Sequence, residues 1–294
     1  MTRLPLPLRL AGLVALLLGG VRAGPAHGQW VEPPGTGWVK VQGAHQDTRS
    51  KFDREARVTS YDTEDARSIS SAVRITGALG LWRGLDAWAD IAYHRLAFND
   101  VQENRLQTGV ADPRLYLRAG PSLLGIEDLP VAVALRGGVK LPVGEFALDA
   151  EEISISQGQR DWDLLLEVGK SLHPWPVYVT AWAGYRWREE NPETTTKPGD
   201  ERLFYVAAGG TVDPLTWKLA VDGLFGRPPV RTDFGLVLEN DRRELVQVIP
   251  TVGWTVGPGT IEAGARIPVH GRRFPASPTF TLGYFFTWDR SLWK

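Results

Sequence analysis

Thr260-Ile261-Glu262-Ala263-Gly264-Ala265-Arg266-Ile267-Pro268-Val269-His270 alternates apolar and polar side chains along its length. In an extended chain Ile261, Ala263, Ala265, Ile267 and Val269 share one face, while Glu262, Arg266 and His270 share the other. Period-two alternation is the sequence mark of a strand with one dry and one wet face. About ten residues is also what a tilted β-strand needs to cross the hydrocarbon of a bilayer.

The same pattern recurs through the chain, and no convincing helical periodicity appears after residue 30. Strands are expected near 38–45, 66–81, 85–98, 108–120, 130–142 and 159–171, and again near 176–188, 201–212, 215–227, 242–254, 260–270 and 279–288. In the second, Ile69, Val73, Ile75, Leu79 and Leu81 oppose Ser68, Ser70, Arg74 and Thr76. In the fifth, Val131, Val133, Leu135, Val139 and Leu141 oppose Arg136 and Lys140. In the sixth, Trp162, Leu164, Leu166 and Val168 oppose Asp161, Asp163 and Glu167. The last strand carries Phe280, Leu282, Tyr284, Phe286 and Trp288 on one face. Only the eighth, apolar on both faces from Leu203 to Ala208, leaves its faces unassigned.

Connections alternate in length. Short turns fall at Trp82-Arg83-Gly84, His173-Pro174-Trp175, Asp213-Pro214 and Gly257-Pro258-Gly259, with a longer one at Ser122–Leu129. Between them lie polar segments at 46–65, 97–107, 143–158, 189–200 and 228–241. Short turns on one rim and long loops on the other describe an up-and-down outer-membrane barrel, short side periplasmic. The expected fold is therefore all-β, a single antiparallel transmembrane β-barrel of about 12 strands.

Alternation alone does not say which face is dry, and a soluble barrel or sandwich would bury its apolar face. Two features favour the membrane. The polar face carries mid-strand charges that a lumen could pair or hydrate. Aromatic residues gather near strand ends, at Trp38, Trp82, Tyr93, Trp162, Trp175, Tyr185, Trp187, Trp217, Trp254 and Trp288, as in interfacial girdles.

Arg3 and Arg9 precede a short apolar stretch, Leu10 to Gly20, followed by small residues at Ala23, Ala26 and Gly28. This reads as a cleavable signal peptide over 1–28, cut after Ala23 or Gly28, with the barrel occupying 29–294. An uncleaved anchor is the alternative, although the stretch is short for a transmembrane helix. The expected location is the bacterial outer membrane, reached through the periplasm. Among 294 residues there is no cysteine, which excludes disulfides, thiolate metal sites and a cysteine nucleophile. A formal net charge of -1 gives no reason to expect nucleic acid.

Four motifs resemble the outer-membrane family named for the putative MetA pathway of phenol degradation, a group of transporter-type barrels. They are Gly109-Val110-Ala111-Asp112-Pro113-Arg114-Leu115-Tyr116, Leu135–Phe146 with its proline–glycine exit, Arg160-Asp161-Trp162-Asp163, and Ala183-Gly184-Tyr185-Arg186. The resemblance implies a barrel of about this size with a transport role and no catalytic residues. The chain continues past Trp288 to Leu292-Trp293-Lys294, where many barrels stop at a terminal aromatic read by the assembly machinery.

Catalytic patterns are scarce. No Gly-x-Ser-x-Gly elbow, His-Glu-x-x-His, Walker loop or dinucleotide fingerprint occurs. The histidines are His27, His45, His94, His173 and His270. A hydrolase would need His94 or His270 beside a serine on the lipid-facing side. Asp149, Glu151 and Glu152 could hold a divalent cation, but a solvated charged loop is the commoner explanation, since calcium needs six or more oxygens. Arg242, Arg243, Arg272 and Arg273 belong to the long-loop rim, where they could meet lipopolysaccharide phosphates or serve solubility.

Function would then reside in the lumen, with no cofactor and no metal. The inward residues expected are Arg74, Asp90, His94, Arg114, Tyr116, Arg118, Arg136, Lys140, Asp161, Asp163, Glu167, Tyr178, Trp182, Arg186, Asp222, Glu262 and Arg266. Such an interior suits a narrow channel for small organic solutes, aromatic or hydrophobic ones among them, or a salt-bridged closed barrel with a structural or surface role. The residues between the cleavage site and the first strand are too few for an N-terminal plug, so any gating falls to the long loops. Expected partners are outer-membrane lipid and lipopolysaccharide, a small solute, and the assembly machinery through the last strand.

Overall fold

The computed structural model describes residues 31–61, 65–101, 103–148 and 152–288. The expected leader with His27, the acidic residues Asp149 and Glu151, and Leu292-Trp293-Lys294 lie outside the described residues.

Twelve antiparallel strands close on themselves. They are β1 Gly37–Thr48, β2 Arg67–Trp82, β3 Leu85–Asn99, β4 in two segments (Asn104–Val110 and Arg114–Ala119), β5 Ala132–Lys140 and β6 Asp161–Ser171. Then follow β7 Val177–Arg188, β8 Glu201–Val212, β9 Leu215–Gly226, β10 Glu244–Val256, β11 Gly259–Arg272 and β12 Thr279–Trp288. Neighbours in sequence are neighbours in space, and the ring is sealed by β12 on β1, from Gly37↔Trp288 to Gln46↔Thr279. Closure matters because a backbone N–H or C=O left unpaired in hydrocarbon costs several kcal/mol.

The pairing register assigns faces. Val73, Ile75, Leu117, Leu164, Leu166, Leu219, Val252 and Leu282 are all exposed, although each is a large hydrophobic. So much apolar surface on every strand would be untenable in water, and it is the lipid-facing wall of an outer-membrane barrel. The opposite face holds the charges. In β8, whose faces alternation leaves open, Leu203, Tyr205 and Ala207 point inward: Tyr205 pairs with Trp182 and Asp222, and Ala207 is buried.

Three features depart from the sequence reading. First, β4 starts at Asn104 and is interrupted at Ala111-Asp112-Pro113, where alternation predicts a single strand. His94 pairs with Gly109 but Asp90 with Arg114, so β4 holds one residue more than β3 over this span. That is the count of a β-bulge, and it resets the alternation so that Arg114, Tyr116 and Arg118 face inward. Second, Trp38 is not a girdle residue. It shares the inward parity of Lys40 and Gln42, with its ring edge-on to Trp88 at 4.9 Å and 5.5 Å from Phe285. Proximity to a strand end suggests the rim; parity decides the face. Trp82, Trp162, Trp175, Trp187, Trp217 and Trp254 are exposed, as a girdle requires. Third, the long loops carry sheets of their own: a hairpin of Ser50–Phe52 with Val58–Ser60, and three short strands at Thr196–Lys197, Val230–Arg231 and Leu236–Val237.

The segment ahead of β1 is also organised. Gly35 N donates to Gly80 O at 2.9 Å, and the Glu32 N–H donates to the Asp86 carboxylate at 2.9 Å. Val31 is buried, with its side chain over Gly120. Residues 31–36 thus lie as a strap across part of the short-turn mouth. The strap is too short to fill the barrel. It nonetheless reaches from β2 to the β4–β5 connection, with a turn at Pro33–Thr36 closed by Thr36 N donating to Pro33 O at 3.0 Å.

Candidate functional site: the barrel interior

On the wall formed by β3 to β8 the inward charges make a lattice of two ion-pair clusters, bridged by Tyr116, whose ring faces Arg136 and whose hydroxyl donates to Asp163. Arg118 donates to Asp86 (2.6 Å) and contacts Glu167 at 3.3 Å, and Glu167 also takes Arg136 at 2.8 Å. Asp163 is shared by Arg114 (3.2 Å), Arg186 (2.7 Å) and the Tyr116 hydroxyl (3.0 Å). Arg186 continues to Glu201 at 2.9 Å, and Arg188 joins Glu201 to Asp161 at 3.4 Å each. Lys140 completes the chain between Asp161 (3.2 Å) and Asp112 (3.4 Å). Most of these pairs join neighbouring strands, while Arg118 to Glu167 and Arg114 and Tyr116 to Asp163 skip one, reaching across the curved wall between residues of matching parity. Aromatic rings pack among them. The Arg136 guanidinium lies 4.9 Å from the Trp88 ring, 5.2 Å from Tyr116 and 5.7 Å from Trp182. Gly138 lies under the Tyr116 ring, where a Cβ would collide with it.

The bulge in β4 has a consequence for this lattice. Asp112, freed from the ladder, accepts from Gly144 N and Gln157 N (3.2 Å each). Gln157 in turn accepts from Arg188 at 2.6 Å and Lys140 at 3.1 Å, while Ser156 and Gln159 are buried. The β5–β6 loop is therefore folded inward over the long-loop end of this wall.

The wall formed by β9 to β12, β1 and β2 is more open. Lys40 pairs with Glu262 at 2.5 Å, and Asp222 stands opposite Gln247 in the β9–β10 ladder. Two cavities lie within the barrel and share Arg74. The deeper, about 220 Å³, is lined by Arg74, Asp90, Arg114, Arg136, Asp163 and Arg186 together with Trp88, Tyr116 and Trp182. The outer, about 250 Å³, is lined by Gln42, Gln46, Ser70, Arg74, His94, Gln247, Arg266, Thr279 and Thr281, with Leu245, Pro268, Phe274 and Pro275 supplying apolar surface. A larger concavity of about 1220 Å³ lies along the outer wall, lined mostly by lipid-facing residues such as Val39, Ile75, Leu135 and Leu164, with Trp88, Tyr116 and Asp163 at its floor.

Every residue expected on the inner face takes the inward parity. The lattice gathers Arg114, Tyr116, Arg118, Arg136, Lys140, Asp161, Asp163, Glu167 and Arg186. Arg74 hydrogen-bonds Asp90 at 3.0 Å, and Trp182 stacks on Tyr205 at 5.6 Å. Glu262 and Asp222 sit apart from the lattice, and Tyr178 covers Gly209. Sequence reasoning misses Asp86, Arg188 and Glu201, whose parity is readable but which stand at strand ends. It also misses Asp112 and Gln157, which only the bulge brings in.

The rim arginines meet acids of the same chain: Arg242 and Arg272 contact Glu244, and Arg273 contacts Asp241 at 2.5 Å. His94 faces inward, and His270 lies 3.5 Å from Glu244 rather than beside Ser277. The outer face does carry one histidine–serine pair, His45 with Ser71 at 2.9 Å. Among the described residues no carboxylate holds the second ring nitrogen of His45, and Asp47 is taken by Arg67. The orienting member of a triad is thus lacking there. Among the described residues no group of three or more His, Cys, Asp or Glu is placed to hold a metal.

The barrel is similar to the COG4313 outer membrane channel from Pseudomonas putida F1, with a TM-score of 0.68 at 14% identity, covering 87% of this chain and 96% of that one. The β domain of the Bordetella autotransporter BrkA aligns with a TM-score of 0.47 at 12% identity, covering 86% of this chain and 100% of that one. No curated protein sequence matches. The model of the family described as "Putative MetA-pathway of phenol degradation" matches residues 41–284. That span runs from β1 into β12, and the chain belongs to this family of outer-membrane β-barrels.

Proposed function

We propose that this protein is a passive outer-membrane channel for small organic solutes, using a narrow mixed-charge lumen and no chemistry of its own. The observation that carries the reading is a pair of polar cavities inside the barrel that share Arg74, the outer one on the side of β1, β2 and β10–β12 and the deeper one against the ionic lattice. The likeness of the barrel to an outer membrane channel of Pseudomonas putida supports it. In this account the leader over 1–28 is removed during export, and the solute passes between the outer and the deeper cavity past Arg74. Swelling of proteoliposomes in isotonic solutes tests it: small solutes should enter faster than into protein-free vesicles, with rates falling as solute size rises. Swelling no faster than the protein-free control would sink the reading. It would favour a closed structural barrel, for which the crowding of one wall by lattice, strap and inward loop is the supporting observation.

A further inference from the structure

The outer cavity is unusual in its charges. Its lining includes the guanidiniums of Arg74 and Arg266 and the imidazole of His94, and it includes no carboxylate. Elsewhere in the barrel each cluster of cations is interleaved with acids, and the deeper cavity has both Asp90 and Asp163 on its wall. Arg74 is partly neutralised by Asp90. Arg266 is not: among the described residues it makes no ion pair or hydrogen bond, and Asp222 and Asp90 act on it only from longer range. A guanidinium drawn from water into a narrow lumen without a partner is costly, and the missing partner has the chemistry of an anion.

The register shows how the two arginines frame the space. Arg74 of β2 pairs with Gln42 of β1, and Arg266 of β11 pairs with Thr279 of β12. Between the arginines the inward residues of β1 and β12 are short or uncharged, so the arginines flank a shallow polar trough. Leu245 and Phe274 add apolar surface. Guanidinium groups suit carboxylates through paired N–H donors, and the apolar lining suits the organic remainder better than a bare inorganic ion. A volume of about 250 Å³ lies below the range of drug-sized pockets, ~300–1,000 Å³, which restricts the ligand to a small one.

We infer that the outer cavity is a binding site for a small organic carboxylate, held between Arg266 and Arg74 with its apolar part toward Leu245 and Phe274. The inference rests on the channel reading for its biological meaning, since the site would load the lumen with its solute, but binding can be measured without conduction. The probe is sodium benzoate, titrated calorimetrically into the mature protein refolded in detergent, with benzyl alcohol and chloride as controls. Benzoate should bind at least about tenfold more tightly than benzyl alcohol, the order expected when a charge-assisted hydrogen bond is lost. Arg266→Gln should weaken benzoate about tenfold, and Arg266→Lys should weaken it less. Gln42→Glu, nearly isosteric and placing an acid beside Arg74, should weaken it too, and serves if Arg266→Gln does not fold. Equal binding of benzoate and benzyl alcohol, or benzoate binding unmoved by these variants, overturns the site; so does displacement of benzoate by equimolar chloride. Single-channel recording on the same preparations separates the two ideas. Conductance without benzoate binding leaves the channel and removes the site, whereas binding without conductance supports the site and contradicts the channel.

Discussion

Asp163 accepts from Arg114, Arg186 and Tyr116 with about 1% of its side chain exposed. Removing one partner of a buried ion pair leaves charges stranded and costs about 3–5 kcal/mol. Asp163→Asn should therefore lower barrel stability by about 3 kcal/mol or more, read as a shift of the urea midpoint in phospholipid vesicles. Asp47→Asn, which breaks an exposed pair with Arg67, should leave that midpoint unchanged. A midpoint for Asp163→Asn within error of wild type would show that the lattice is loosely hydrated. At this scale parity is the legible part. Alternation alone puts Asp161, Asp163 and Glu167 on the inner face, and the register agrees. Which cation meets which acid is not legible, since an acid such as Asp163 takes partners from the neighbouring strand and from the one beyond it, and the choice depends on curvature.

Two elements lie at the mouths, and neither is readable from alternation. The strap of residues 31–36 docks against Gly80, where any Cβ would strike the carbonyls of Glu32 and Pro33. Gly80→Ala should displace the strap while sparing the ladder, and proteolysis in the folded protein should then cut within 31–36. Resistance equal to wild type would contradict this docking. Glu32 makes the same contact pH-dependent. Its burial pushes the carboxyl above its ordinary range, against the opposing pull of Arg118. A carboxyl with a raised docked-state pKa binds its proton more tightly when docked, so docking strengthens as pH falls through that range and weakens as pH rises. Strap cleavage should accelerate with rising pH in wild type and lose that dependence in Glu32→Gln. At the opposite mouth Asp112 pins the β5–β6 loop through Gly144 and Gln157. Its position at a proline-terminated bulge is visible as Ala111-Asp112-Pro113, but a continuous strand explains those residues equally well.

For the whole molecule the sequence carries the architecture, because a transmembrane barrel leaves few solutions: each strand must alternate, span the hydrocarbon and pair on both edges. The expected strand near 279–288 coincides with β12, and the sealing of β12 on β1 follows from closure. The small loop sheets escape a sequence reading because strands of two or three residues leave no periodicity to read. The outward face predicts its own test: Leu219→Arg, on the lipid side of β9, should cost about 2–4 kcal/mol near mid-bilayer, and a cost below about 1 kcal/mol would mean that this wall does not face hydrocarbon. The proposed channel needs a path left open beside the lattice. Single-channel conductance of the mature protein, refolded and inserted in a planar bilayer, tests it most directly. Discrete, ion-selective steps are expected, with a size or selectivity that changes when Arg136 or Glu167 is neutralised. Electrical silence, from protein shown to be folded by its heat-modifiable gel mobility, would contradict it.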